Sequence, residues 1–225
     1  MKSFLSVIPI VVAGLAGGGV GVTGAAESKA MDSDSTVGPP GFVYESSLPA
    51  GFPEPGPIER AVVKRYPAAR AVQTETGQFM RLFGHISRER VSMTTPVMMT
   101  PNDPSEPRPD RGGMSMAFFY PSTQTGEAGP DGFDDTVEVV DMGQRTVISY
   151  AFFGNPSWDQ VDAARAAIAE QAEAEGLEPT GVWSLMGYNS PSVPPARRLY
   201  EVQQEVAIPS AAETAGDPDT EAAAP

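Results

Sequence analysis

The sequence of 225 residues contains no cysteine and a single histidine. Without cysteine the chain forms no disulfide bond and offers no thiolate for catalysis or for an iron–sulfur or zinc site. One histidine likewise excludes zinc and di-iron centres that need several imidazole ligands. The fold must therefore be stabilised by its apolar core, which a domain of about 150 residues can supply.

Basic residues are also scarce, with 15 Lys and Arg against 29 Asp and Glu, so the net charge is −14 and the isoelectric point lies near 4.4. No run of Lys or Arg reverses this balance locally. A surface this acidic repels phosphate backbones and anionic lipid headgroups. We therefore expect no nucleic-acid partner and no attachment to an anionic membrane surface.

The N-terminus has the organisation of a secretory signal peptide. Lys2 is followed by residues 4–22, which are uncharged and mostly apolar, and then by the small residues Thr23-Gly24-Ala25-Ala26. This order predicts cleavage near Ala25 or Ala26 and export to the periplasm or the extracellular space. The alternative is an uncleaved membrane anchor formed by residues 4–22, although the run Gly17-Gly18-Gly19 weakens it as a transmembrane helix.

Gly and Pro, 23 of each, are concentrated in the terminal segments and in the loops. Residues 27–57 are rich in Asp, Ser, Gly and Pro and lack a sustained hydrophobic period, which predicts a disordered tether. Residues 209–225 consist mainly of Ala, Glu, Asp and Pro, which predicts a disordered acidic tail. The folded domain is therefore expected at residues 58–208, after a signal peptide at residues 1–26.

Within this domain the order strand-strand-helix-strand-strand is predicted twice. In the first half, apolar residues at positions 79, 82, 83 and 86 have the spacing of one helical face. In the second half, Ser157 and Gln160 predict a capping box that begins a helix, and Gly176 ends it. The strands are expected at residues 58–64, 68–74, 91–100, 113–121, 136–141, 145–153, 180–188 and 196–207.

Short neighbouring strands with only two helices favour an α+β fold with an antiparallel sheet. We expect a pseudo-twofold repeat that forms a distorted sheet or barrel, with one helix covering each half. A groove between the halves is then the expected ligand site, because ligands bind preferentially in concave apolar regions.

Residues 91–97, VSMTTPV, resemble the I-x-M-T-x-P-V signature of the SOUL/haem-binding protein family. The resemblance continues in chain order, and it covers nearly the whole predicted domain. Two positions depart from the family pattern: Tyr200 stands where Asn is usual, and His85 stands where an aromatic residue, often Tyr, is usual. The other matching segments are FMRLFGHI at 79–86, MAFFYP at 116–121, GYNSP at 187–191 and RLYEV at 198–202.

This resemblance implies a distorted barrel-like sheet with two helices, which effector-binding domains of drug-responsive transcription regulators share. It also implies that some members bind a tetrapyrrole in a hydrophobic groove, without a fixed axial histidine. We therefore expect a small, planar, apolar ligand such as haem as the cofactor or cargo, bound by a monomer.

His85 is the only imidazole that can ligate haem iron, and a helix end beside a groove suits this role as a metal ligand. The alternative is that His85 replaces a Tyr and stabilises the C-terminus of its helix, by about 0.3–1 kcal/mol. Both roles stay open at this point.

The groove lining is expected to come from apolar side chains of the first helix and of the strands that follow it. Methionine adapts to irregular apolar ligands, and its thioether can ligate haem iron or copper(I). The alternative is that these side chains form the core of the domain. The candidate lining residues are Phe79, Leu82, Phe83, Met93, Met99, Met116 and Phe118.

Arg198 is the candidate partner of the haem propionates through charge-assisted hydrogen bonds. Further candidates are Arg81, Arg88, Arg90 and Arg197. The alternative is that these arginines form a solvated rim or that Arg198 pairs with Glu201. Glu201 itself has two interpretations, a general base or a buried structural carboxylate.

We therefore expect a non-enzymatic, exported carrier or sensor of haem or a related planar tetrapyrrole. One alternative is a hydrolase or isomerase that uses the same groove with the assistance of Glu201. The other alternative is a passive interaction module that acts through the tether and the acidic tail.

Overall fold

The computed structural model describes residues 38–106, 108–110 and 112–208. The predicted signal peptide, the first part of the predicted tether and the acidic tail lie outside these residues. None of the helices in the described part of the chain is both long and apolar enough to span a membrane.

The described domain contains two helices and a sheet of ten strands. The helices are α1 (Phe79–Arg88) and α2 (Trp158–Glu175), and a 3-10 turn at Pro195–Arg197 precedes the last strand. The strands are β1 (Ala61–Tyr66), β2 (Ala69–Thr74), β3 (Val97–Pro101), β4 (Met114–Phe119), β5 (Gly129–Pro130), β6 (Glu138–Met142), β7 (Arg145–Phe153), β8 (Glu178–Pro179), β9 (Ser184–Gly187) and β10 (Leu199–Ala207).

The sheet is antiparallel and open, with the order β1-β7-β10-β9-β3-β4-β2-β6-β5, and β8 pairs with β10. Exchanging β1 with β6, β2 with β7, β3 with β9 and β4 with β10 reverses the order of these eight strands. The two halves are therefore related by a pseudo-twofold axis between β3 and β9. This confirms the predicted α+β fold with a pseudo-twofold repeat. Of the two expected forms, a distorted sheet or a barrel, the structure has the open sheet.

Helix α2 begins and ends as the sequence predicts. The Ser157 side chain accepts a hydrogen bond from the Gln160 backbone N–H, and the Gln160 side chain accepts one from the Ser157 backbone N–H, which confirms the capping box. Gly176 ends the helix with φ of 63°, a left-handed conformation that favours glycine. Helix α1 begins at Phe79 without a side-chain cap.

Alternate residues of each strand point to opposite faces of the sheet, and both helices cover the same one, which we call the helix face. Beneath α2, Ile168 packs in a cluster with Ile148 and Val202. Beneath α1, Leu82 packs in a cluster with Phe118. These two clusters form most of the apolar core.

The opposite face is covered by residues 38–57, which we call the strap, and we name this the strap face. Phe52 of the strap is buried edge-on against Tyr66 and Phe119, with ring centroids 5.0 and 4.9 Å away. The backbone N–H of Ala50 donates to the carbonyl of Pro121 at 2.9 Å. Residues 38–57 therefore differ from the predicted disordered tether, because their aromatic side chains and backbone groups are bound to the sheet.

Candidate functional site

Most of the predicted lining residues lie in the core beneath α1. Phe79, Leu82, Met116 and Phe118 are each at most 4% exposed, and the rings of Phe79 and Phe118 are 4.8 Å apart. Phe83 is half-buried and packs against the same cluster. The structure thus brings these five residues together as core side chains. This agrees with the alternative given for them above, in which they form the core and not a groove lining.

Met93 and Met99 lie closer to the axis between the halves. Met93 lines a cleft of about 20 Å³ together with Thr95 and Tyr188. A cleft of this volume has room for about one water molecule, so in this conformation it does not accommodate a tetrapyrrole. Met99 packs against both clusters of the helix face.

His85 is buried, and both of its ring nitrogens are engaged. Nδ1 hydrogen-bonds the carboxylate of Asp131, and Nε2 lies 2.7 Å from the hydroxyl of Tyr120. Burial, with a contribution from the charge of Glu89, raises the pKa of Tyr120 to about 12, so this hydroxyl keeps its proton. Ligation of iron by His85 would therefore require at least one of these hydrogen bonds to break.

Asp131 connects His85 to the loop that follows β5. Its carboxylate also binds the guanidinium of Arg88 and accepts from the backbone N–H groups of Phe133 and Asp134, at 2.6 and 3.0 Å. Burial alone would raise the pKa of Asp131, but the hydrogen bond with His85, the two backbone hydrogen bonds and the charge of Arg88 lower it overall. The cluster thus clamps the loop to α1. Sequence reasoning missed Asp131 because it lies 46 residues from His85.

Arg198 holds a loop and lies buried on the other half of the domain. Its Nε donates to the carbonyl of Val193 at 2.7 Å, its Nη1 to Oδ1 of Asn155 at 2.8 Å, and its Nη2 to the carbonyl of Pro191 at 2.6 Å. Every guanidinium nitrogen is engaged within the protein. Arg198 does not pair with Glu201, and the structure does not bring it together with His85.

Glu201 is completely buried on the strap face and accepts five hydrogen bonds. Its Oε1 accepts from the backbone N–H of Gly56 at 2.5 Å and from Nζ of Lys64 at 2.7 Å. Its Oε2 accepts from Ser149, Tyr188 and Gln203 at 2.9, 3.1 and 3.0 Å. A general base must reach its substrate, so this arrangement supports the structural interpretation of Glu201. In the described part of the chain, no group of three or more His, Asp or Glu residues is arranged to hold a metal ion.

Lys64 is the partner of Glu201 that sequence reasoning missed. Its ammonium also donates to the backbone carbonyl of Glu54 in the strap, at 2.9 Å. Burial and the charge of Glu201 raise the pKa of the neighbouring Tyr188 well above its usual value. A lysine in the alternating pattern of β1 was the only signal in the sequence, and it does not by itself indicate burial.

The two most exposed large apolar side chains of the described residues are Met80 on the outer surface of α1 and Phe133 in the loop after β5. Met80 is 66% and Phe133 is 80% exposed. The guanidinium of Arg88 lies 4.5 Å from the Phe133 ring centroid, and Arg81 binds Asp134 of the same loop at 2.6 Å. Two apolar side chains are thus placed beside two arginines, although the chain as a whole is acidic.

Gly84 leaves the middle of this surface flat. Positions 80, 84 and 87 share one face of the helix, and a side chain added at Gly84 would meet no atom within 4 Å. We call this region, formed by Met80, Gly84, Ser87 and the Phe133 loop with its two arginines, the α1 surface. Sequence reasoning missed Met80, although its position on the polar side of α1 was a readable signal.

Solved structures with a similar arrangement share little sequence with this chain. An uncharacterized conserved protein from Listeria innocua is 12% identical, with 68% of this chain and 94% of that chain covered and a TM-score of 0.53. A hydrolase from Listeria innocua is 11% identical, with the same coverage and a TM-score of 0.51. The EcmrR C-terminal domain is 14% identical, with 66% and 97% covered and a TM-score of 0.47. At these identities, the two structures from Listeria innocua show a likeness of fold alone.

The sequence itself gives a more specific comparison. No protein with a curated description matches it. The family model described as SOUL heme-binding protein matches residues 59–205, a range that includes both helices and the VSMTTPV segment. The chain therefore belongs to the SOUL heme-binding protein family.

Proposed function

We propose that this protein binds haem or a related planar tetrapyrrole as an exported, non-enzymatic carrier or sensor. The match to the SOUL heme-binding family over residues 59–205 is the observation that carries this proposal. The export rests on the signal-peptide pattern of residues 1–26. Glu201, the residue on which the hydrolase or isomerase alternative depends, is completely buried and does not reach a substrate in this conformation.

The α1 surface supports the proposal, because its residues fit a tetrapyrrole in type. Met80 and Gly84 on α1, and the exposed Phe133 ring against Arg88, offer apolar surface for the porphyrin ring. Arg81 and Arg88 are 39% and 34% exposed, and guanidinium groups donate well to carboxylates such as the propionates. Met80 carries an exposed thioether here, which would be a candidate ligand for the iron of a bound haem. The buried residues of the predicted groove lining offer no comparable access.

The test is a titration of hemin into the protein, followed by the Soret band. We expect a saturable shift at micromolar protein. The variant Gly84→Gln places a side chain on the flat part of the α1 surface and improves helix propensity, so it is expected to fold. Its affinity for hemin should be at least about tenfold weaker, a change of about 1.4 kcal/mol.

The matched control is Ala166→Gln, which adds the same side chain to an exposed position of α2. We expect it to bind hemin as the wild type does. The absence of a saturable shift in the wild type would overturn the haem proposal. Equal affinities of Gly84→Gln and the wild type would show that the ligand does not bind at the α1 surface.

A further inference from the structure

Three buried polar side-chain atoms in the described part of the chain have no hydrogen-bond partner there. They are Nε and Nη2 of Arg145 and Oε1 of Gln203. All three belong to residues that contact Tyr66: the Arg145 guanidinium lies 5.0 Å from the Tyr66 ring centroid, and Gln203 donates to the Tyr66 hydroxyl at 2.7 Å. Buried polar groups are normally satisfied, so three exceptions around one tyrosine require a reason.

Arg145 begins β7 on the strap face, directly opposite Tyr66 of β1. None of the ion pairs formed by the described residues includes it. Burial lowers the pKa of Arg145, yet an arginine side chain keeps its proton in proteins. The charge of the exposed Glu205 favours the protonated form of Arg145, but no described carboxylate forms an ion pair with its half-buried guanidinium.

The two unpartnered nitrogens of Arg145 form one edge of the guanidinium, the edge that binds both oxygens of a carboxylate. The protein shows this geometry elsewhere. In Arg70 the same two atoms, Nε and Nη2, donate to the two oxygens of Asp141 at 2.7 and 2.9 Å. Arg145 therefore presents a carboxylate-binding edge that no described side chain uses.

The surroundings of this edge are apolar. Nη1 of Arg145 lies 3.8 Å from the sulfur atoms of both Met98 and Met142, which are weak acceptors on flexible side chains. The guanidinium also lies 5.6 Å from the ring centroid of Phe119. These neighbours suit the apolar body of a ligand whose charge binds to Arg145.

The strap covers this place with one aromatic ring. Phe52 contacts Tyr66 and Phe119, the same two rings over which the guanidinium of Arg145 lies. A ligand would reach the guanidinium after Phe52 and the side chains of Met98 and Met142 move aside. Methionine side chains make such rearrangements at low cost, because they are unbranched and have three rotatable bonds.

We propose that Arg145 is the centre of a second ligand site, on the strap face, for a small carboxylate with an apolar body. The carboxylate binds the free edge of the guanidinium, and the apolar body replaces Phe52 against Met98 and Phe119. Oε1 of Gln203 accepts a hydrogen bond from a hydroxyl or amine beside the carboxylate. This inference is independent of the proposed haem binding, which concerns the α1 surface.

The test is NMR of the protein with ¹³C-labelled methionine methyl groups, titrated with four probes that share a six-carbon chain. The probes are hexanoate, 2-hydroxyhexanoate, 1-hexanol and hexylammonium. We expect the two carboxylates to shift the Met98 and Met142 signals in a saturable manner at millimolar concentration. 2-Hydroxyhexanoate should bind more tightly than hexanoate, while the alcohol and the amine leave both signals in place.

Arg145→Met removes the charge and keeps an apolar chain, and it is expected to fold because it eliminates an unpaired buried charge. Its affinity for hexanoate should fall at least about tenfold. Arg145→Lys keeps the charge without the two-pronged edge and should also bind more weakly. Arg65→Met, at an exposed arginine of β1, is the matched control and should bind as the wild type does.

Equal hexanoate affinity in Arg145→Met and the wild type would overturn the proposal, as would the absence of a saturable shift with either carboxylate. Hemin provides the distinction from the proposed function. We expect hemin to perturb the Met80 signal and hexanoate to leave it unchanged. A hemin titration that fails therefore does not affect the hexanoate result.

Discussion

Both faces of the sheet bury apolar clusters, but they differ in the charged and polar side chains buried with them. On the helix face, the clusters beneath α1 and α2 consist of aliphatic, methionine and aromatic residues. On the strap face, the same strands bury Lys64, Ser149, Glu201 and Gln203, and they half-bury Arg145. The strands alternate between these two environments, so the contrast is set by what covers each face.

The difference follows from the backbone of the covering segment. A helix satisfies its own N–H and C=O groups, so the sheet beneath it needs to offer only apolar contact. The strap has no regular ladder, and its backbone groups need partners from the sheet. Glu201 accepts from the N–H of Gly56, and Lys64 donates to the carbonyl of Glu54. The buried ion pair is thus the means by which an irregular segment is held on a sheet.

The largest expected effect comes from breaking this pair. Glu201→Ala leaves the Lys64 ammonium buried without its carboxylate and removes the acceptor of four other donors. We expect the free energy of unfolding to fall by about 3–5 kcal/mol, as measured by urea denaturation. A loss below about 1 kcal/mol would contradict the structural role of Glu201.

A double variant tests whether the ion pair stabilises the fold by itself or by binding the strap. Replacement of a buried ion pair by apolar residues is often neutral. In Lys64→Met with Glu201→Leu, however, the backbone groups of Gly56 and Glu54 lose their partners, at about 1–3 kcal/mol each. We therefore expect the double variant to stay less stable than the wild type and to be cleaved faster within the strap in limited proteolysis. Wild-type stability would show that the strap does not need the pair.

Neighbouring residues of β7 give a matched test of the two faces. Ser149 points to the strap face and donates to Oε2 of Glu201 at 2.9 Å, whereas Ile148 points to the helix face. Ser149→Ala should cost about 1.5–3 kcal/mol, because a hydrogen bond to a buried charge is lost. Ile148→Val should cost about 0.5–1.5 kcal/mol, the usual effect of a small cavity. A larger loss for Ile148→Val than for Ser149→Ala would contradict the greater contribution expected from the strap face.

An effect as small as that of Ile148→Val is expected at Asp131, which binds the residues of α1. The pKa of Asp131 is below its ordinary value of 3.8, so its ionised carboxylate stabilises the fold above about pH 4. That contribution is lost as the pH falls through the lowered pKa. Asp131→Asn should cost about 1 kcal/mol at pH 7, and less at pH 3, in denaturation curves measured at both values. An equal loss at both pH values would show that the charge of Asp131 is not involved.

The regular elements were predictable because they depend on local periodicity. Both helices, the capping box at Ser157 and the repeated strand order follow from spacings that the sequence displays. The strap was not predicted, since its Gly and Pro content is the same signal that marks a tether. The spaced aromatic residues Phe42, Tyr44 and Phe52 were the available indication that this segment packs.

The candidate site was harder to predict, because it depends on contacts between distant parts of the chain. A helical or alternating pattern places Leu82 and Phe118 on an apolar face, but it cannot distinguish a core from an open groove. The partners of His85 and Arg198 lie on loops that no periodicity identifies. Exposure is likewise a tertiary property. The position of Met80 on the polar side of α1 was readable, but the exposed Phe133 in a distant loop was not.

The first strand of each repeat pairs with a strand of the other repeat, and this pairing limits how the two halves can move. Strand β1 of the first half pairs with β7, and β6 of the second half pairs with β2, while β3 and β9 join the halves at the axis. Separating the halves would disrupt three hydrogen-bonded seams at once. The two repeats are therefore joined as one body, and a ligand that enters between the sheet and the segments that cover it must displace loops, the strap or side chains.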